Sequence, residues 1–182
     1  MLRESHARAD TLLDIGAGVG VLHHELLAGG VRAAVHVEAA QAYVQAARDE
    51  ADRRGHTGRV RFLHGDFLAL APAIAPADLV TLDRVLCCYP DLEPLLLASA
   101  ARTRRYWAAT FPRDRWYVRL HTSGQNRLRA RAGNAFRTFV HPVARIYDLL
   151  SRSGLRPLRV CRRPVWELVL CIREDAASNP VK

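Results

Sequence analysis

Apolar residues along this chain fall into two alternating kinds of run. Short β-rich runs, bounded by glycine or a charged residue, occur at Thr11–Ile15, Ala33–Glu38, Val60–Leu63, Asp78–Asp83 and Tyr106–Phe111. Between them stand longer segments with helical spacing: Val19–Ala28, stopped by Gly29 and Gly30, Ala40–Arg54, closed by Gly55, and Leu92–Arg102. Apolar strands separated by helices indicate parallel strands joined by crossovers and covered on both faces. Pro142–Ser153, ending at Gly154, predicts another helix. Leu158–Arg162 and Val165–Arg173 predict two strands whose tight turn at Arg163 and Pro164 makes them antiparallel. Residues 70–77 read as an Ala- and Pro-rich connector, and residues 112–137, which lack a clear period, as a partly helical insertion. The pattern predicts one three-layer α/β sandwich over residues 1–174, with a seven-stranded, mostly parallel sheet ending in an antiparallel hairpin, and a loose tail over 175–182.

Composition agrees with a single globular unit. At 182 residues and 20.3 kDa, with 49% hydrophobic and 25% charged residues, the chain can bury roughly 70% of its unfolded surface without staples. No apolar run reaches the length of about 20 residues that spans a bilayer. The opening MLRESHARAD lacks the apolar centre of a signal peptide, so a soluble, cytoplasmic chain is expected. Its four cysteines include the adjacent pair Cys87 and Cys88, which lacks the spacing of a zinc or redox motif. No metal site is expected.

Charge is segregated along the chain. Arginine supplies 26 of the 27 basic residues, and the net charge is +9. Residues 1–91 hold 9 arginines against 12 acids, whereas residues 102–163 hold 16 arginines and only Asp114 and Asp148 as acids. An anionic small molecule would suit that segment, since arginine pairs bidentately with carboxylate or phosphate. Nucleic acid would suit it too, with Trp116, Tyr117 and Phe136 interleaved among the cations. A merely Arg-rich, solvated surface is the third reading.

The most specific signal is Asp14-Ile15-Gly16-Ala17-Gly18-Val19-Gly20, between the first strand and first helix. Glycines there allow close approach of a ligand to the backbone, at the place where open α/β sheets bind nucleotides. The third glycine comes one residue too early for the dinucleotide fingerprint, and Val21 takes its place. Asp14, two residues before the first glycine, favours a cationic ligand over a diphosphate. The segment resembles motif I of the class I S-adenosylmethionine-dependent methyltransferases. Glu38, followed by Ala39, is similar to the acid that pairs with the ribose hydroxyls in that family. Gly65-Asp66-Phe67 resembles the motif whose Asp accepts from the adenine amino group, and Asp83 falls where the family faces the methionine end and the acceptor. Leu82–Asp91 and Phe111–Trp116 look like a bacterial subgroup distantly similar to magnesium-protoporphyrin O-methyltransferases.

The resemblance implies a Rossmann-like fold, S-adenosylmethionine as cofactor, and a cofactor site at Asp14, Gly16, Ala17, Gly18, Gly20, Glu38, Ala39, Asp66, Phe67 and Asp83. It also implies one or two helices ahead of the first strand, which a ten-residue lead is too short to supply. Methyl transfer is an in-line displacement that needs alignment and, for a hydroxyl acceptor, a nearby base. Asp83, Tyr89, His121 and His141 are the candidates for it. His23 and His24 read as residues of a helix face. The Asn/Asp-Pro-Pro-Tyr motif that accompanies amine methylation is absent from the sequence. O-methylation of a small acceptor is therefore expected, with nucleic-acid methylation through the basic segment, or non-catalytic binding, as alternatives.

Overall fold

The computed structural model describes residues 9–177. Seven strands form one sheet in the order β3-β2-β1-β4-β5-β7-β6. They are β1 (Thr11–Ile15), β2 (Ala33–Glu38), β3 (Val60–His64), β4 (Ala77–Asp83), β5 (Thr103–Pro112), β6 (Leu155–Arg162) and β7 (Trp166–Arg173). The first five pair in parallel, and β7 runs antiparallel between β5 and β6. The expected Rossmann-like architecture with its terminal antiparallel hairpin is what the chain adopts.

The helices are α1 (Val21–Ala28), α2 (Gln41–Arg54), α3 (Phe67–Leu70), α4 (Leu92–Ala101), α5 (Trp116–Arg131), α6 (Val143–Arg152) and α7 (Glu174–Ala177). Strand side chains alternate between faces, so each face of the sheet has its own core. On one face, Leu13, Ile15, Val80, Leu82, Trp107 and Phe111 pack with α4 and α6. The indole N–H of Trp107 donates to Ser99 Oγ of α4 at 3.0 Å, which satisfies a wholly buried ring nitrogen. On the other face Leu12, Leu79, Tyr106 and Leu170 pack with Leu27 of α1, and Arg48 of α2 lies over the Phe62 ring, 5.1 Å from its centroid.

Several expected boundaries move for physical reasons. β5 begins three residues early because Thr103, Arg104 and Arg105 extend a strand whose polar end the apolar pattern does not show. β6 begins at Leu155 despite Pro157. An edge strand tolerates proline, and the register shifts between Pro157 and Arg159. The connector after β3 contains α3, capped by Asp66, whose carboxylate accepts from the Leu68 N–H at 3.3 Å. The expected insertion holds one sixteen-residue helix, α5, which buries only Val118 and Thr122 and so leaves little periodic signal. The tail expected from residue 175 begins instead as the helical turn α7, and its part beyond 177 lies outside the described residues. No helix among the described residues is long and apolar enough to cross a membrane.

Candidate functional site

Strand order reverses between the parallel neighbours β1 and β4, so their carboxyl ends leave a crevice where open α/β sheets take ligands. A cavity of about 640 Å³ occupies it, inside the usual range for small-molecule sites. Ile15, Gly16 and Gly18 form one side, Val37 to Ala40 with Tyr43 another, and Gly65 and Phe67 a third. Asp83, Arg84, Val85, Cys88, Tyr89 and Phe136 close the remaining end.

The glycine loop is built for this approach. Gly16 and Gly18 have φ of 60° and 56°, a left-handed conformation natural to glycine. A Cβ on Gly16 would lie 2.5 Å from Val85 Cγ2, whereas one on Gly18 would meet nothing within 4 Å. Gly16 is therefore required by packing, and Gly18 keeps open a space that borders the cavity. The Glu38 carboxylate is held by two backbone donors, Gly18 N to Oε2 and Ala40 N to Oε1, both at 2.9 Å. Each oxygen keeps a lone pair for a further donor. A vicinal diol beside a planar base fits that arrangement, and the open loop leaves room for it.

Four residues of the expected cofactor set do not line the cavity. Asp14 is 1% exposed. Its Oδ1 accepts from Thr81 Oγ1 at 2.7 Å and its Oδ2 lies 3.2 Å from His23 Nδ1. Both oxygens of this carboxylate, expected to favour a cationic ligand, are thus engaged inside the core. Ala17 ties the loop to β2 through its N–H and the Val37 carbonyl at 3.2 Å. Gly20, at φ 85°, leaves room for the His23 ring, which a Cβ would approach to 2.4 Å. Asp66 caps α3 and accepts the Tyr89 hydroxyl at 2.5 Å. Gly16, Gly18, Glu38, Ala39, Phe67 and Asp83 do line the cavity.

The catalytic candidates divide in the same way. Asp83 is exposed at the mouth, 3.4 Å from the Arg84 guanidinium. Tyr89 also lines the cavity, but burial and its bond to Asp66 push its phenol well above the ordinary tyrosine range. Its hydroxyl donates to Asp66 Oδ1 there. His141 Nε2 lies 3.1 and 3.0 Å from the Leu86 and Tyr89 carbonyls, where it can donate to either oxygen and brace the loop behind the cavity. His121 is exposed on α5, away from the lining residues.

Sequence reasoning missed Tyr43, Arg84, Cys88 and Phe136. Among the described residues Arg84 alone, glycines aside, has a positive φ, at 59°. Such backbone conformations cost energy in a non-glycine residue and concentrate at functional sites. The Cys88 thiol is exposed in the cavity, and its hydrogen-bonding with Cys87 holds its pKa below the ordinary thiol value. No group of three or more His, Cys, Asp or Glu among the described residues is placed to hold a metal ion.

Strand order, glycine loop and the carboxylate closing β2 together define a class I methyltransferase fold. Residues 12–105, more than half the chain, match the methyltransferase domain family, and the protein belongs to it. The methyl donor of this class is S-adenosylmethionine. Among solved structures, magnesium protoporphyrin IX methyltransferase of Synechocystis with bound S-adenosylhomocysteine aligns with a TM-score of 0.72 at 19% identity, covering 94% of this chain and 77% of the other. An O-methyltransferase family protein of Burkholderia thailandensis aligns at 0.73 and 20% identity, covering 92% of this chain and 52% of that one. Mitomycin 7-O-methyltransferase aligns at 0.70 and 22% identity, with 91% and 49% covered. The chain thus spans about half the length of the last two. Among curated proteins no sequence matches this one.

Proposed function

We propose that this methyltransferase domain transfers the methyl group of S-adenosylmethionine to an oxygen atom of a small, anionic acceptor seated at the Asp83–Arg84 end of the cavity. The observation that carries the reading is the pairing of an exposed carboxylate with a guanidinium at the cavity mouth, on backbone held at positive φ. The cofactor supplies an electrophilic methyl on a sulfonium. Glu38, fixed by two N–H donors, would accept from ribose hydroxyls, and the buried Phe67 would offer an apolar wall. Arg84 would bind the acceptor's carboxylate or phosphate in a fork, which positions it and screens its charge. Asp83 would take the proton that a hydroxyl acceptor releases. The O-methyltransferases and the protoporphyrin methyltransferase among the structural neighbours support an oxygen acceptor.

The test is transfer of labelled methyl from S-adenosylmethionine to aromatic carboxylates and phenols. Label released as methanol by mild alkali identifies an ester, and alkali-stable label on oxygen identifies an ether. Either outcome supports the reading, with Arg84→Gln raising KM for the anionic acceptor while leaving S-adenosylhomocysteine binding within about threefold. Label found on nitrogen or in RNA overturns it.

A further inference from the structure

Helix α5 turns its large apolar side chains away from the protein. Of its sixteen residues only Val118 and Thr122 are buried, and they share one side. At about 100° per residue, the outward half carries Trp116, Leu120 and Leu128 together with Arg127 and Arg131, while the Tyr117 hydroxyl turns back to donate to the Pro164 carbonyl. Trp116, Leu120 and Leu128 are 76%, 67% and 66% exposed. Single exposed hydrophobic residues are ordinary, but several on one face of one element mark a contact surface. The helix contains no acidic residue. Its neighbour Asp114 is committed to Arg119, and among the described residues no carboxylate pairs with Arg127 or Arg131.

We propose that this outward face of α5 docks on an anionic lipid bilayer, with Trp116, Leu120 and Leu128 entering the boundary between headgroups and acyl chains and Arg127 and Arg131 meeting lipid phosphates. An interfacial helix combines a Trp- and Leu-bearing surface with arginines in this way. The charge of the surrounding segment, 16 arginines against two acids over residues 102–163, complements an anionic leaflet. Arginine and tryptophan would serve nucleic acid equally well, but the two exposed leucines offer nothing to a phosphate and no ring to stack on a base. They decide for lipid. The proposal does not depend on the identity of the acceptor.

Flotation of the full chain with vesicles tests it, using equal parts phosphatidylcholine and phosphatidylglycerol, beside pure phosphatidylcholine vesicles and a structured RNA. The protein is expected to float with the anionic vesicles, much less with the neutral ones, and to retain part of that binding in high salt. Arg127→Gln with Arg131→Gln should weaken partition roughly 30-fold, as loss of two cations at a lipid surface implies. Trp116→Ala with Leu120→Ala should remove the salt-resistant part. All four side chains are exposed, so an unchanged melting temperature verifies the fold of each variant. A blue shift of tryptophan emission on vesicle binding reports insertion if it is lost in Trp116→Phe, which keeps the wholly buried Trp107 and the half-buried Trp166 of β7. Absence of flotation with the anionic vesicles overturns the proposal, as does flotation that both double variants leave intact. Binding to RNA but not to vesicles assigns the face to nucleic acid, and a dimer split by Leu120→Ala assigns it to a second copy. Either result overturns the lipid assignment.

Discussion

His23 Nδ1 lies 3.2 Å from Asp14 Oδ2 with both side chains shut off from solvent. With Thr81 on its other oxygen, Asp14 ties the end of β1 to α1 and β4, directly beneath the glycine loop. In this arrangement the carboxylate holds the loop from below. Asp14→Ala leaves two buried polar partners unsatisfied, which costs about 2–4 kcal/mol. For a chain of this size the melting temperature should fall by roughly 5–10 °C. Affinity for S-adenosylhomocysteine, measured calorimetrically below the melting range, should change by less than about tenfold. An unchanged melting temperature with binding abolished would return Asp14 to the ligand.

Four histidines, His23, His24, His36 and His56, form a buried cluster beside that pair. Burial, with His23 close by, lowers His24 and His36 from 6.5 to about 4. His56 is lowered as well, first by burial and then by Arg59 and Arg54. Arg54 also faces His24, and Arg48 faces His36, while Asp14 is the carboxylate that opposes the shift at His36. Between about pH 6.5 and 4 the unfolded chain binds protons that the folded chain refuses. Stability is therefore whole above about pH 6.5 and falls as pH drops, by up to about 1.4 kcal/mol per pH unit for each ring. Neither ring nitrogen of His36 has a partner, so His36→Leu should be near neutral in stability above pH 7 and stabilising near pH 5. Denaturant titrations at the two pH values decide it. An acid limb as steep in the variant as in the wild type would remove His36 from the account.

The histidine cluster also marks where sequence reading stops. His23 and His24 sit in a helix whose apolar face is legible, but partners such as His36 and His56 come from other elements that only tertiary packing brings close. The five parallel strands were readable because each is an apolar run punctuated by glycine or a charged residue. The loop and Glu38 were readable because chemistry restricts them to particular residue types at particular strand ends. Helix α5 was readable only as a partly helical insertion without bounds, since a helix that buries two side chains imposes almost no period on its sequence. Arg84 carried no local signal either. Its left-handed backbone follows from the turn out of β4, and nothing in Asp83-Arg84-Val85 announces it.

Gly16 and Gly18 look equivalent in the sequence and should behave differently when replaced. Gly16→Ala forces a methyl into Val85 at a strained φ, so it should unfold the protein or lower its melting temperature by several degrees. Gly18→Ala meets no protein atom within 4 Å and costs only the left-handed conformation, roughly 1 kcal/mol. The new methyl, however, occupies space bordering the cavity. In the wild type, ligand at 100 times its Kd adds about 2.7 kcal/mol, a rise of roughly 5–10 °C. Gly18→Ala should fold and lose most of that rise, and so should Glu38→Ala. A full ligand shift in both variants would place the cofactor elsewhere.

Adjacent Cys87 and Cys88 should differ sharply towards an alkylating reagent. The Cys87 thiol is buried, donates to the Arg84 carbonyl at 3.2 Å, and has its pKa pushed far up by hydrogen-bonding with Cys88 and by burial. Cys88 is exposed on the cavity wall with its pKa held down, and the thiolate is the reactive form. Iodoacetamide at neutral pH should label Cys88 at least about tenfold faster than Cys87, as read by peptide mass spectrometry. Saturating S-adenosylhomocysteine should slow labelling of Cys88 by a similar factor while leaving the half-exposed Cys161 unaffected, because Cys161 lies on β6 outside this cavity. Protection of both thiols alike would point to a global change in stability. Labelling of Cys88 unaffected by ligand would show that the bound nucleoside does not reach the Cys88 end of the cavity, where the proposed acceptor would sit.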